Sequence, residues 1–352
     1  MYHRTRRLAG VLLATVALTA GCGSDDPSTS AGSAAAAASA ESGAATTGAA
    51  TDASFPVTIE HLFGETVVPA RPERVVVAGL NEADYLYSLG VAPVGVHEWF
   101  GEYPYATGPW ADPVREELGA EPEVLQGFDV NVEWVASLDP DLIVVAYHDI
   151  DQNIYDQLSE IAPVVAAPTG PGVDVWAAPW RVQYRLIADA VGERDRADVV
   201  IADVDATIER IKAEHPSFAG ATFDTGGLDG GSISTYSSGD LANQLLAELG
   251  MSVPEEFDAI ADGVYVQIAA ERFDLLDQLD TFIWLDDTGE MPGQAAAMPT
   301  FAATRLHREG REVVPSRDVV MAIAFNTPLS IPYYLDELAP LLDAALDGDP
   351  AT

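Results

Sequence analysis

The sequence predicts an α/β protein of two lobes joined by one long helix. Three observations predict it. From residue 55 to 192, apolar runs of strand length alternate with amphipathic helical stretches; a second such set fills 216–348; and 193–215 keeps a helical period with no Gly or Pro inside it.

In the first lobe, Val75, Val76, Val77 and Ala78 form a buried-strand run, and Gly79, Leu80 and Asn81 turn the chain into a helix over 82–89 with Asn81 as its cap. Further strands are expected at 93–96, 142–145 and 164–166. A helix around 132–138 stops at Asp139-Pro140-Asp141 just before the third strand, and 155–161 leads into the fourth. This βαβα order implies a mostly parallel sheet covered by helices. In the second lobe, 222–224, 282–285 and 313–314 read as strands, and 241–249, 269–276 and 333–346 as helices. Between the lobes, Ala197, Val200, Ile201, Val204, Ile208 and Ile211 recur at helical spacing until Pro216 ends the run. A helix of about 21 residues spans roughly 30 Å. A single rigid helix restricts how far two lobes can open.

The N-terminus carries a different signal. Arg4, Arg6 and Arg7 precede an apolar run of about a dozen residues, too short for a hydrocarbon core that needs about 20, so residues 1–21 read as an export signal. The run ends in Leu18-Thr19-Ala20-Gly21-Cys22, small residues before the chain's one cysteine. This resembles the cleavage site of bacterial lipoproteins and implies a diacylglycerol thioether on Cys22, a lipoprotein anchored at the outer face of the cytoplasmic membrane, with an added acyl chain such as palmitate securing it. Ordinary secretion with an incidental thiol is the alternative. Residues 22–54 are Ser, Ala, Gly, Thr and Asp with almost no large apolar side chain, a composition that cannot offset ordering entropy and reads as a disordered tether.

A single cysteine excludes a disulfide, a CxxC pair and a cysteine-built metal site. Loss of the signal peptide removes three arginines and no acid, taking the formal charge from −39 to about −42. Nucleic acid is excluded as a partner on that balance. The chain has no GxSxG elbow, HExxH helix, Walker loop or GxGxxG, so it is not expected to be an enzyme. It has no HxH or HxxxH spacing either, which argues against a bare-metal receptor.

Five segments then carry a resemblance. They are HLFGETVVPARPERVVVAGLNEADYLYSLGVAPVGV, WVASLDPDLIVVAYHDIDQNIYDQLSEIAPVVA, RLIADAVG, EGREVV and AIAFNTPLSIPYYLDEL, in that order from about 57 to 346. Together with HEWFGEYPY and the APW before the long helix, they resemble the iron-siderophore and cobalamin binding proteins of ABC importers, most closely actinobacterial ferric-siderophore lipoproteins. The resemblance implies two Rossmann-like α/β lobes joined by one long rigid helix (the class III solute-binding protein fold), a shallow cleft, little closure, and a monomer that hands a ferric siderophore to a permease. Haem or cobalamin is the alternative ligand within the same fold.

Ligand contacts in such a fold come from the strand-to-helix loops, here 79–81, 97–110, 147–153, 225–239, 284–299 and 324–329. Asn81, Trp99, Tyr103, Tyr147, His148, Tyr236, Trp284 and Asn326 are the expected ligand-binding residues, with Thr327 a further hydrogen-bonding candidate. Tyr147 and His148 are also the candidates for touching ferric iron, since phenolate and imidazole both bind it. The family places an importer-docking Glu in each lobe; Gln152 and Gly239 stand there, so the neighbouring Asp151 and Asp240 are expected to dock. None of the six loops contains Lys or Arg. A neutral or cationic hydroxamate complex therefore fits better than a trianionic catecholate, unless Arg181, Arg185, Arg272 or Arg305 reaches the cleft from a neighbouring helix.

Replacing Cys22 with Ser is expected to release the protein from membranes. Carbonate extraction of membranes from cells expressing the variant measures this, and a variant that stays in the pellet refutes the anchor.

Overall fold

A computed structural model describes residues 54–98, 101–170 and 175–348. The export signal, Cys22, nearly all of the tether, and Trp99 lie outside the described residues.

An antiparallel hairpin opens the first lobe, β1 (Val57–His61) against β2 (Gly64–Val68). Then β3 (Val75–Val77), β4 (Gly95–His97), β5 (Glu123–Leu125), β6 (Leu142–Val145) and β7 (Val164–Ala166) make a parallel sheet in the order β5-β4-β3-β6-β7. The strands are three or four residues long and mostly buried on both faces, as a helix-covered parallel sheet requires. Val75, Val77, Leu142 and Val144 face one core; Val76, Ile143, Val145 and Val164 face the other. The order reverses between β3 and β6, so the crevice beyond their carboxyl ends is the natural ligand site of the lobe.

The second lobe is a mixed sheet, β8 (Phe223–Asp229), β9 (Ser232–Tyr236), β10 (Tyr265–Ile268), β11 (Thr281–Trp284) and β12 (Glu312–Val313), in the order β10-β9-β8-β11-β12. β8, β9 and β10 are antiparallel neighbours, which the strand-helix alternation does not anticipate. The cause is a two-residue turn at Gly230 and Gly231, with φ of +55° and +90°, which folds β9 back on β8. Segment 269–276, expected as an α-helix, is a 3-10 helix over Ala270–Gln278 with Arg272 out of helical geometry.

The helix between the sheets spans Arg194–Glu214 and buries Ala197, Ile201, Val204, Ile208 and Ile211. Arg210 pairs with Asp336, and His215 with Asp343, tying it to the helix Ser330–Leu346.

The lobes meet at a polar seam organised by two buried acids of the helix Glu82–Ser88. The Glu82 carboxylate accepts the Asn81 N–H at 3.1 Å and the Tyr147 N–H at 2.7 Å, joining the ends of β3 and β6. It occupies the space a side chain at residue 79 would need: a Cβ on Gly79 would lie 1.9 Å from Glu82 Oε1. One oxygen of Asp84 accepts both Trp110 Nε1 and Thr327 Oγ1 at 2.7 Å. Asn81 Nδ2 donates to the Phe325 carbonyl at 2.9 Å. At the outer edges, Tyr103 donates to Asp318 at 2.6 Å and Arg181 pairs with Asp205 and Glu248. Leu80, Tyr147 and Leu241 form an apolar cluster at the same seam.

Burial pushes Glu82 up to about 7 and Asp84 up to about 6, against the N–H and O–H groups that favour their charged forms. A carboxyl whose pKa is higher in the fold than in the open chain binds its proton preferentially in the fold. Its stabilising contribution is complete below the unfolded pKa and is lost as pH rises through the folded one. For Asp84 that window runs from 3.8 to about 6. Because both donors address one oxygen, Asp84→Asn keeps both bonds and removes the titration. The variant is expected to gain about 1–3 kcal/mol over the parent at pH 8 and to show a flatter fall in stability above pH 4. Urea midpoints across that range measure it; parallel pH profiles for the two proteins refute it.

Candidate functional site

A pocket of about 370 Å³ lies beyond the carboxyl ends of the first lobe's strands, between them and the second lobe. Its first-lobe wall is Phe128, from the loop after β5, Tyr147, from the loop after β6, and Trp176, ahead of the helix Trp180–Val191. Opposite stand Tyr236 at the end of β9, Tyr265 at the start of β10, Asp240, Leu241 and Ala242 at the start of the helix Leu241–Glu248, and Leu285 after β11. Ile323 and Ala324, from the helix Arg317–Phe325, and Val264 complete it.

The rings are arranged by contact with one another. Tyr147 meets Trp176 edge-on at 5.2 Å, Phe128 lies over Trp176 at 6.4 Å, and Tyr236 leans on Tyr265 at 5.8 Å. Phe128 and Tyr265 are 52% and 57% exposed, one large apolar group from each lobe at the rim. Such a pair gains most from a ligand that covers it. Behind the wall, His148 Nε2 donates to the Phe128 carbonyl at 2.8 Å and stacks on His97, whose two nitrogens face the carbonyls of Ala78 and Gly127. Asn243 does the same on the other side, donating to the carbonyls of Tyr236 and Ser237 at 3.3 and 3.1 Å and to Asp224 at 3.0 Å. Burial pushes Asp224 up to about 7.

Among the described residues, Asp240 is the one charged residue in the pocket wall. Its Oδ1 accepts the N–H groups of Ala242 at 2.9 Å and Asn243 at 3.3 Å, capping the helix, and burial raises its pKa. Burial, reinforced by Asp240, pushes the Tyr236 phenol up to about 12 and Tyr147 well above the usual phenol range. Both rings stay protonated at neutral pH and present O–H groups rather than phenolates.

The structure distributes the expected ligand residues that it describes among four places. Tyr147 and Tyr236 line the pocket. Asn81, Tyr103 and Asn326 sit in or beside the seam instead: Asn326, at φ +50°, donates to the Leu241 carbonyl at 3.0 Å and accepts from Tyr334 at 2.9 Å. Thr327 is spent on Asp84. Trp284 is fully buried in the second core, edge-on to Phe282 at 5.0 Å with Nε1 donating to Glu312. The strand runs one residue further than a loop reading allows, so Trp284 continues the alternation that Phe282 began. His148 is 6% exposed and withdrawn behind Phe128. His148 Nε2 is engaged by the Phe128 carbonyl, and the Tyr147 ring enters the pocket wall as a protonated phenol. Among the described residues no three His, Cys, Asp or Glu side chains converge as a metal site.

For docking, Asp151 is exposed and caps the helix Gln152–Ser159 by accepting the Ile154 N–H at 2.9 Å. Asp240 caps its helix in the same way but lines the pocket. The four arginines held in reserve are engaged away from the pocket: Arg181 with Asp205 and Glu248, Arg185 with Asp198, Arg272 with Asp274, and Arg305 with Asp280 and the Leu279 carbonyl. Phe128, Trp176 and Tyr265 were not anticipated. An aromatic just after a strand was the available signal for Phe128, but β5 is an edge strand with a short apolar run; Tyr265 opens the edge strand β10 and Trp176 lies ahead of a helix, where no such signal applies.

Residues 75–311 match the periplasmic binding protein family. The "Probable siderophore-binding lipoprotein YfiY" of Bacillus subtilis is 31% identical over 201 residues, 56% of this chain, and the match spans 58% of the length of that relative. A periplasmic solute binding protein from Mycobacterium smegmatis superposes with a TM-score of 0.74 at 33% identity, covering 82% of this chain and 98% of its own. The ferrichrome complex of PiaA from Streptococcus pneumoniae gives 0.70 at 26% identity, covering 83% and 99%.

Proposed function

The chain belongs to the periplasmic binding protein family, a family of binding proteins rather than enzymes, and from that premise we propose that it captures a ferric siderophore of neutral or cationic hydroxamate type outside the cytoplasmic membrane and delivers it to an ABC importer. The observation that carries the ligand class is the pocket wall, whose described residues are five aromatic rings, several aliphatic side chains and one carboxylate, with no Lys or Arg among them. A trianionic chelate seated there would meet Asp240 and no compensating cation. A neutral trishydroxamate presents amide oxygens to the phenol O–H groups of Tyr147 and Tyr236 and apolar linkers to the rings. The name of YfiY and the ferrichrome bound to PiaA support the siderophore reading. The seam supports delivery with little closure, since Asp84, Asn81 and Arg181 already tie the lobes. Lipidated Cys22 would hold the protein, as a monomer, within reach of its permease.

Trp176 lines the pocket and Trp284 does not, which gives the ligand test an internal control. Ferrioxamine is expected to quench tryptophan fluorescence in the parent and in Trp284→Phe, with most of the quench lost in Trp176→Phe. In low salt, where screening is weakest, ferrioxamine should bind at least about tenfold tighter than ferric enterobactin or ferric citrate. The reverse order overturns the charge argument.

Asp151 is proposed as the first-lobe docking group. Asp151→Lys should leave ferrioxamine binding unchanged and reduce uptake into cells severalfold. Uptake at the parent rate removes Asp151 from the interface.

A further inference from the structure

The pocket has a feature that ferric-chelate binding alone does not require. A helix cap needs one oxygen, and Oδ1 of Asp240 takes both amides, leaving the carboxylate's charge without an ion pair among the described residues. Asn would cap this helix as well as Asp. It would do so without the cost of desolvating a charge between Tyr147 and Tyr236. Other acids near the cleft have both ends or a distant donor engaged: Glu82 by Tyr147 N–H, Asp84 by Trp110 and Thr327, Asp318 by Tyr103, and Asp286, within its own turn, by Thr288 on one oxygen and the Met291 N–H on the other. Among the described acids Asp240 alone lines the cavity, and it does so inside a wall of rings. A carboxylate set among aromatic faces is the chemistry that recognises an organic ammonium: the anion supplies a charged acceptor and the ring faces supply cation-π attraction.

We propose that Asp240 is a specificity-determining residue that selects chelates carrying an ammonium-bearing arm, seating that arm against the carboxylate while the rings of Tyr147, Trp176, Tyr236 and Tyr265 hold the rest of the ligand. The inference rests on the hydroxamate reading above and adds to it a named recognition group. It assigns Asp240 to the ligand rather than to the importer, and it explains why an acid stands in an otherwise uncharged wall.

Ferrioxamine B and its N-acetyl derivative make the test. They share the same iron coordination and chain and differ in one charge. The parent protein is expected to bind the ammonium form about tenfold tighter than the acetylated form at low salt, with the ratio shrinking as salt is added. In Asp240→Asn the affinity for the ammonium form should fall about tenfold and that for the acetylated form should stay within about twofold, bringing the two together. Asp240→Ser, a second uncharged cap, should repeat the result, and thermal melting confirms that both variants fold. Equal binding of the two chelates by the parent, or an equal loss of both in the variants, overturns the role of Asp240 and leaves the hydroxamate reading standing. Binding of neither chelate by the parent overturns both.

Discussion

Two buried carboxylates, Glu82 and Asp84, decide how the halves of this molecule meet. Among the described residues neither pairs with a cation, so each is tolerable only where backbone and side-chain donors converge on it. Those donors come from distant parts of the chain. Glu82 fixes the turn after β6 by holding the Tyr147 N–H, and so sets where the Tyr147 ring enters the pocket. Asp84 draws Trp110 from its own lobe and Thr327 from the other onto one oxygen. The close approach of Glu82 to the backbone at Gly79 leaves no room for a side chain there. A single short helix thus positions one pocket wall and closes the contact between lobes.

The consequence for binding is preorganisation. Lobes tied by buried hydrogen bonds cannot swing widely without exposing unpaired acids. Around the cavity the rings are supported from behind, Phe128 by His148 and Tyr236 by Asn243. A site built this way spends little of its binding free energy on ordering itself. The exposed parts of Phe128 and Tyr265 are where the molecule still has apolar surface to cover.

Much of this architecture was legible in the sequence, for reasons that can be named. Val75–Val77 and Leu142–Val145 are apolar on every residue because their sheet is covered on both faces. The buried positions of the helix Arg194–Glu214 are Ala197, Ile201, Val204, Ile208 and Ile211, all apolar positions read at helical spacing in 193–215, while Val200 is half-buried beside them, since the period is set by one contact stripe. β5 and β10 escaped because they are edge strands of three and four residues, too short for a period to stand out. Phe128 and Tyr265 escaped with them. The mixed second sheet was hidden in a Gly-Gly pair that reads equally as a flexible loop and as a hairpin turn. The site was read only in part: Tyr147 and Tyr236 are in the wall, whereas Asn81, Asn326 and Thr327, polar residues in the right loops, face across the seam. Sequence position does not distinguish a loop residue that points at a ligand from one that points at the other lobe.

Charge works on two scales here. The chain carries a formal −39, and that field acts over a Debye length to attract cations and disfavour anions without regard to shape. Inside the pocket the relevant quantity is a single carboxylate among neutral phenols, held close enough to rings that its field is poorly screened. Burial keeps Tyr147 and Tyr236 protonated, so the phenols meet a ligand as neutral O–H donors, and Asp240 is the anionic group among the described wall residues. On the proposed reading, recognition therefore acts on the organic shell of the chelate and leaves the metal's own coordination intact. That division suits a receptor that must release its cargo unchanged to an importer, because no bond to iron has to be broken at the handover.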